Sequence, residues 1–371
     1  MRKIATITMF GDNYGACLQA FALQHILEER NQYSRIIKYN SFDYTNKKAQ
    51  TKLQKVKKYG LKKVILYLVE KKYSKMVKDA FQSFRENYLK FDTKEYCRGK
   101  DLSELNERYD LFLCGSDMIW SEEFIDDWDF YYLNFVTPFK KNSYAPSFGK
   151  NNLTEENKKK VAHYLETFKN LSCRENGGVD LIQSLTEKIV VQVLDPTMLL
   201  SANEWNQVIG NTNRIFKEKY VFAYVFGKTN NKRKKIFETV ENKIAPVKFI
   251  PRKRKKDYDN FPVDVVGPLE YMRLIRDAEF VVTDTFHGLM FSIIFRKPFI
   301  VLQRNDGTNW SQYSDRMTST LKMFGLEERY VRETGLNIDQ YKELDYSGIE
   351  KVIQQKRDSS LMYLDKVINE K

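Results

Sequence analysis

The chain has 371 residues and a formal net charge of +13. That length exceeds one comfortable hydrophobic core and predicts two domains, which 42% hydrophobic and 14% aromatic residues are enough to fill. The basic balance points to anionic partners such as phosphorylated substrates, anionic lipid or nucleic acid, and no stretch reaches the roughly 18 apolar residues of a membrane-spanning helix. The apolar run at the start is too short for a signal peptide. Cys17, Cys97, Cys114 and Cys173 lie far apart without paired spacing, and read as reduced thiols of a cytoplasmic protein.

Lys3 to Met9 reads as a first strand, Gly11-Asp12-Asn13-Tyr14-Gly15 as a turn, and Ala16 to Glu29 as a helix with Leu18, Phe21, Ala22 and Ile26 on its apolar side. A glycine turn between strand and helix suits a phosphate or another polar substrate. It is not G-x-G-x-x-G and no Walker lysine follows, so no dinucleotide cofactor is expected. Asn13 and Tyr14 either hydrogen-bond a ligand or only shape the turn. His25 lies inside the helix and reads as structural. Arg35 to Tyr39 is a second strand.

Residues 47–78 carry twelve lysines. Interleaved with them are Leu53, Val56, Leu61, Val64, Ile65, Leu68 and Val69, the pattern of a basic amphipathic helix with Gly60 as a kink point. This insertion, placed at 47–90, is either a solvated face or a surface drawn to anionic membrane. No nucleic-acid motif accompanies it, so nucleic acid is not an expected partner.

Tyr109 to Cys114 is a strand with Gly115-Ser116-Asp117 at its carboxyl end, where Asp117 either caps or aims a carboxylate into a cleft. Asp127-x-Asp129 matches a short metal-binding pattern of sugar-nucleotide transferases, but three letters recur by chance and no metal is expected. Asn142 to Ala145 leads to Pro146-Ser147-Phe148-Gly149. Thr154 to Lys169 is a polar-faced helix with an exposed His163. A short strand then ends in Arg174, and a helix spans Val179 to Leu185. Arginine holds a carboxylate or phosphate with two parallel bonds, although Glu175 offers an ordinary ion-pair partner. Ile189 to Leu194 is a strand closed by Asp195-Pro196-Thr197.

Residues 200–218 are polar, which places the boundary between an N-terminal domain at 1–200 and a C-terminal domain at 201–371. The second half opens with a strand from Tyr220 to Phe226. A basic helix follows near Lys232, then a strand from Val247 to Ile250 and an exposed basic run, Arg252 to Lys256. Pro268 to Ala278 is a helix with proline in its first turn. Residues 278–300 form the most informative stretch. Phe280 to Val282 read as a buried strand, Asp284 and Thr285 are helix N-cap types, and Leu289 to Phe295 run as an apolar helix. Pro298 begins the next strand. In parallel sheets built from such units, ligands sit outside the carboxyl ends of the strands. His287 and Gly288 fall there, where a helix amino end attracts an anion, glycine permits close approach, and histidine moves a proton near neutral pH. The competing role for His287 is simple capping. A helix from Tyr313-Ser314-Asp315-Arg316 runs to Phe324, capped by Gly325. A last amphipathic helix at 346–369 is expected to fold back on the first domain. Alternating α/β elements in both halves predict two Rossmann-like domains facing a cleft, a GT-B-like architecture, which does not by itself fix the chemistry.

Taken together, the motifs resemble the polysaccharide pyruvyl transferase family. They are Asn13-Tyr14-Gly15-Ala16 with Leu18-Gln19-Ala20, Gly115-Ser116-Asp117 with Ile119-Trp120, and Ser143-Tyr144-Ala145 with Ser147-Phe148-Gly149. Arg174-Glu175, Asp195-Pro196-Thr197, Asp284 with Phe286-His287-Gly288, and Ser314-Asp315-Arg316 complete the set. The resemblance implies transfer of a pyruvyl group from phosphoenolpyruvate to a pair of sugar hydroxyls as a ketal, without an obligatory metal or cofactor. It places Asp117, Arg174 and His287 on the family's functional positions. The chain departs from the pattern at Thr285, where several members have arginine, and Arg316 is the expected replacement cation. His287 and Asp117 are then the catalytic candidates. Arg174, Arg316, Asn13, Tyr14, Gly15, Ser116, Thr285 and Gly288 are the substrate-binding candidates. The expected partners are phosphoenolpyruvate, a sugar or lipid-linked oligosaccharide acceptor, and an anionic membrane surface at the inner face. The alternatives are a GT-B glycosyltransferase using a nucleotide sugar, and a non-catalytic basic protein that binds membranes or polyanions.

Overall fold

The computed structural model describes residues 1–40, 61–150, 152–226, 230–250, 261–304, 315–331 and 336–370, with side chains from 71 onward in the helix that starts at 61 and from 316 onward in the helix that starts at 315. The lysines at 47–58 and the basic run at 252–256 lie outside the described residues.

The first sheet comprises β1 (Lys3–Ile7), β2 (Tyr33–Asn40), β3 (Phe91–Cys97), β4 (Leu111–Cys114) and β5 (Lys141–Ser143), in the order β3-β2-β1-β4-β5. The second comprises β8 (Val221–Tyr224), β9 (Val247–Phe249), β10 (Phe280–Thr283), β11 (Phe299–Leu302) and β12 (Tyr330–Val331), in the order β12-β11-β10-β8-β9. A short pair, β6 (Leu171–Cys173) and β7 (Val190–Gln192), continues the first sheet through an Asn142–Asn170 bridge. Every pairing is parallel. Parallel strands are covered on both faces, which is why β4, β10 and β11 are apolar throughout and fully buried. The fold is the expected pair of Rossmann-like domains facing a cleft.

The main helices are α1 (Tyr14–Glu29), α2 (Leu61–Tyr88), α3 (Glu155–Leu165), α4 (Asn176–Gln183), α5 (Ala202–Ile209), α6 (Asn231–Lys243), α7 (Pro268–Arg276), α8 (Phe286–Ile294), α9 (Asp315–Phe324) and α10 (Ser347–Asn369). Several start earlier than the apolar pattern suggests, because their first turns are polar or glycine-rich. Asn13 caps α1 by accepting from the Ala16 N–H, and Thr285 caps α8 by accepting from Gly288. β3 follows α2 inside the polar stretch after residue 90, where its exposed Thr93, Lys94 and Glu95 hide the strand pattern.

The polar segment at 200–218 holds more structure than its composition implies. Ser201 and Glu204 form a reciprocal capping box for α5. Trp205 on that helix is fully buried, donates its indole N–H to the Thr197 carbonyl at 2.9 Å, and packs edge-on against Phe291 of α8. One continuous apolar cluster therefore runs from α1 through α5 to α7 and α8, joining the inner faces of both sheets. Two further clusters cover the outer face of each sheet.

Tyr14 and α10 tie the domains together. The Tyr14 hydroxyl donates to the Val266 carbonyl at 3.0 Å, and its ring stacks on Tyr271 with centroids 4.5 Å apart. α10 begins on the C-terminal sheet, where the Tyr346 hydroxyl donates to the Lys297 carbonyl. It ends on the first domain, where Tyr363 donates to Ser143 O, Ser360 Oγ accepts from Leu194 N, and Arg30 pairs with Asp365.

Trp205→Ala is expected to cost about 3–5 kcal/mol in urea unfolding, as for other fully buried large side chains. A loss under about 1 kcal/mol would show that residues 200–218 act as a loose linker.

Candidate functional site

The site begins with a buried carboxylate. Asp195 follows β7 and caps a single helical turn, accepting from the Thr197 N–H at 3.0 Å and the Thr197 hydroxyl at 2.7 Å. Its other oxygen accepts from Arg174 Nη1 at 2.9 Å and from Ser116 Oγ at 3.2 Å. Arg174 Nε donates to Glu175 at 2.8 Å, and Ser147 Oγ donates to the same carboxylate oxygen. The residues of this cluster are almost solvent-free, so each charge depends on its partners. Burial works against the charged form of Asp195, but the neighbouring His287 and the Arg174 guanidinium hold its carboxyl well below the usual range. Burial likewise works against the charge of Arg174, yet Glu175, Asp195 and Asp117 keep it firmly protonated.

Two carboxylates share one guanidinium here, leaving one negative charge in excess. That excess faces His287, whose Nε2 lies 3.7 Å from Asp195 Oδ2, too far for a hydrogen bond but close enough for strong electrostatic contact. His287 Nε2 is buried and has no hydrogen-bond partner within the protein. The ring's other nitrogen presses on α1, where a side chain at Gly15 would lie 1.9 Å from Nδ1. Glycine at 15 is thus required by close approach of the histidine, and this contact joins the two domains at the site.

His287 lines a cavity of about 460 Å³ between the domains. The first domain contributes Asn13, Gly15, Asp117 and Met118. The second contributes Tyr224, Phe226, Thr285, Phe286, His287, Arg304 and Arg316. Asp117 is held with φ +73°, a strained geometry for a residue with a side chain, while its carbonyl accepts from Ser147 N and Ile119 N. Arg316 begins α9 with its guanidinium 5.7 Å from the Phe286 ring centroid. Burial, then the Arg174 charge, push its pKa down to about 10. A cation held at such a cost gains from an incoming anion. A larger groove of about 610 Å³ lies between α2 and residues 262–270, but it contains neither histidine nor arginine.

The structure brings most of the sequence candidates together and reassigns some. Asn13, Gly15, Asp117, Thr285, His287 and Arg316 line the cavity. Arg174 does not line the cavity: its Nε and Nη1 donate to Glu175 and Asp195, its guanidinium lies 4.1 Å over the Phe286 ring, and its buried Nη2 has no hydrogen-bond partner. Ser116 is fully buried and serves Asp195. Tyr14 is turned into the interdomain core. Gly288 supplies the capped N–H of α8, and a side chain there would strike Thr283 Oγ1 at 2.3 Å. Asp127 caps a turn and accepts from Tyr39, while Asp129 accepts from Tyr164 and Asn134, which explains this pair by local structure. Among the described residues no group of three metal-ligating side chains occurs.

Asp195, Arg233 and Arg304 were not singled out as site residues by the sequence. Arg304 stands at the carboxyl end of β11, so the strand-end rule that picks out His287 picks it out too. Asp284, read as a cap, is instead a buried ion-pair partner: Arg233 Nη2 donates to it at 2.9 Å.

The motif order and this geometry agree with a comparison of whole sequences: the family model for polysaccharide pyruvyl transferase matches residues 13–306. The chain belongs to the polysaccharide pyruvyl transferase family. No curated protein matches it. Among solved structures it is similar to a putative UDP-N-acetylglucosamine 2-epimerase from Listeria monocytogenes, with a TM-score of 0.51 at 9% identity over 100% of this chain and 97% of that one. It also aligns with a UDP-GlcNAc 2-epimerase from Methanocaldococcus jannaschii at a TM-score of 0.48 and 14% identity, over 100% of this chain and 93% of that one. A heptosyltransferase from E. coli aligns at 0.36 and 10%, over 96% of this chain and 99% of that one. At 9% identity the likeness to the Listeria protein shows the fold alone. Among the described residues no helix of this family member is long and apolar enough to cross a membrane.

Gly15→Ala should force His287 to shift, lowering stability by about 1–3 kcal/mol and cutting turnover more than stability alone explains. An active, equally stable variant would show that α1 can retreat from the histidine. Asp195→Asn should cost about 3–5 kcal/mol at neutral pH. Because the folded carboxyl titrates below its unfolded value, the parent's advantage is complete above about pH 4 and declines as pH falls further. Urea unfolding at pH 7 and pH 3 tests this; an advantage of equal size at both values would remove the ion-pair account.

Proposed function

We propose that the protein transfers pyruvate from phosphoenolpyruvate to two hydroxyls of a sugar in a cell-surface polysaccharide or its lipid-linked precursor. The observation that carries this reading is His287: a buried imidazole nitrogen without an internal partner, lining a cavity that also holds arginines and a strained aspartate. Membership of the family supports the transferase chemistry, and the arginines suit a donor with one carboxylate and one phosphate.

In this reading the methylene carbon of phosphoenolpyruvate takes a proton from His287 and becomes a methyl group. The acceptor hydroxyl oxygen bonds to the substituted carbon as Asp117 receives its proton. The carbon–oxygen bond to phosphate then breaks, phosphate leaves with the electron pair, and the neighbouring hydroxyl closes the ketal, its proton passing to the now neutral His287. Asp195, held by Arg174, lies 3.7 Å from the His287 nitrogen that serves as proton donor in this scheme. Arg316 pairs with a donor anion. Neither a metal nor a cofactor takes part in this scheme. The exposed Lys71, Lys72, Lys75 and Lys78 on α2 give the chain a basic face for an anionic membrane surface, where lipid-linked acceptors are held.

Incubation with phosphoenolpyruvate and candidate oligosaccharides should add one pyruvate less water to the acceptor, read by mass spectrometry. His287→Asn should remain folded and lower turnover by roughly 10²–10⁴-fold, with loss of one limb of the pH–rate profile. Near-normal turnover in the folded variant would rule out proton transfer by this residue.

A further inference from the structure

We infer that Arg304 supplies the phosphate-binding cation of the donor site, filling the role left open by Thr285; the inference rests on the reading of phosphoenolpyruvate as donor. Thr285 cannot take that role. Its hydroxyl accepts from the Gly288 N–H at 3.1 Å and contacts Thr283 Oγ1 at 2.9 Å, which commits it to capping α8.

Arg304 reaches the same cavity wall from the carboxyl end of β11. Its Nη2 donates to the Asp284 carbonyl at 3.0 Å and lies 3.6 Å from the Asp284 carboxylate. Its guanidinium lies 5.2 Å from the centroid of Phe226, another lining residue. Asp284 is itself fixed, accepting from Arg233 Nη2 at 2.9 Å and from the Phe226 N–H at 2.8 Å. A long, flexible cation is thereby given one orientation, beside the amino end of α8, so the cost of ordering it is met before a ligand arrives.

Phosphate is the better match for this position. Arg304 and the amino end of α8 belong to the same domain and face the same space, and together they offer planar donors and a positive helix end. A phosphate uses both, whereas a lone carboxylate is satisfied by one guanidinium.

The test measures equilibrium binding of phosphoenolpyruvate, inorganic phosphate and pyruvate to the full chain and to Arg304→Gln and Arg304→Lys. Thermal melts check that both variants fold, which the retained Arg233–Asp284 pair favours. Arg304→Gln should weaken phosphoenolpyruvate and phosphate about 10–100-fold, leave pyruvate within about twofold, and be partly rescued in Arg304→Lys. Unchanged phosphate and phosphoenolpyruvate binding in folded Arg304→Gln, or equal weakening of all three ligands, overturns the assignment while leaving the donor reading intact. Failure of the parent protein to bind phosphoenolpyruvate overturns both.

Discussion

Asp195 is fully buried, and a lone carboxylate in that position would cost several kcal/mol. The surrounding structure can be understood as its compensation. Thr197 satisfies one oxygen through backbone and hydroxyl, while Arg174 and Ser116 satisfy the other. Arg174 in turn needs Glu175, and Glu175 needs Ser147. These residues come from the ends of separate strands and turns of the first domain, so the network fixes how those ends sit together. Its outer face then meets the second domain, with Arg174 lying over Phe286 and Asp195 opposite His287.

A second buried ion pair mirrors it across the cavity. Asp284 ends β10 as Asp195 ends β7, and it also organises guanidinium groups, Arg233 and Arg304. The two networks differ in what they present. The first shows a carboxylate to the histidine and keeps its arginine behind the wall. The second brings an arginine onto the wall. The first domain thus sets a buried carboxylate against the histidine, while the second carries both that histidine and an arginine on its own wall.

Much of the architecture was legible from the sequence because parallel strands are buried on both faces and read as short apolar runs. Phe280 to Thr283 and Phe299 to Leu302 are of this kind, and the turn carrying His287 between them follows from the strand-end rule. β3 was not legible, since its middle residues are exposed and polar. The pairing of Arg174 with Glu175 is local and legible, but Asp195 lies 21 positions away and only folding brings it onto Nη1. The interdomain contact of Tyr14 was hidden for a similar reason, because its partner Val266 is 252 positions distant. Arg304 carries its signal only in its position just past the carboxyl end of β11.

Gly15 has an effect that goes beyond relieving a clash. By letting His287 seat against α1, it brings the amino ends of α1 and α8 to the same cavity, one from each domain. Each helix carries roughly half a positive charge at that end. Their sum approaches one full charge made only of peptide dipoles. It does not titrate, and neither domain can supply it alone, so the cavity's attraction for anions is a property of the two domains jointly.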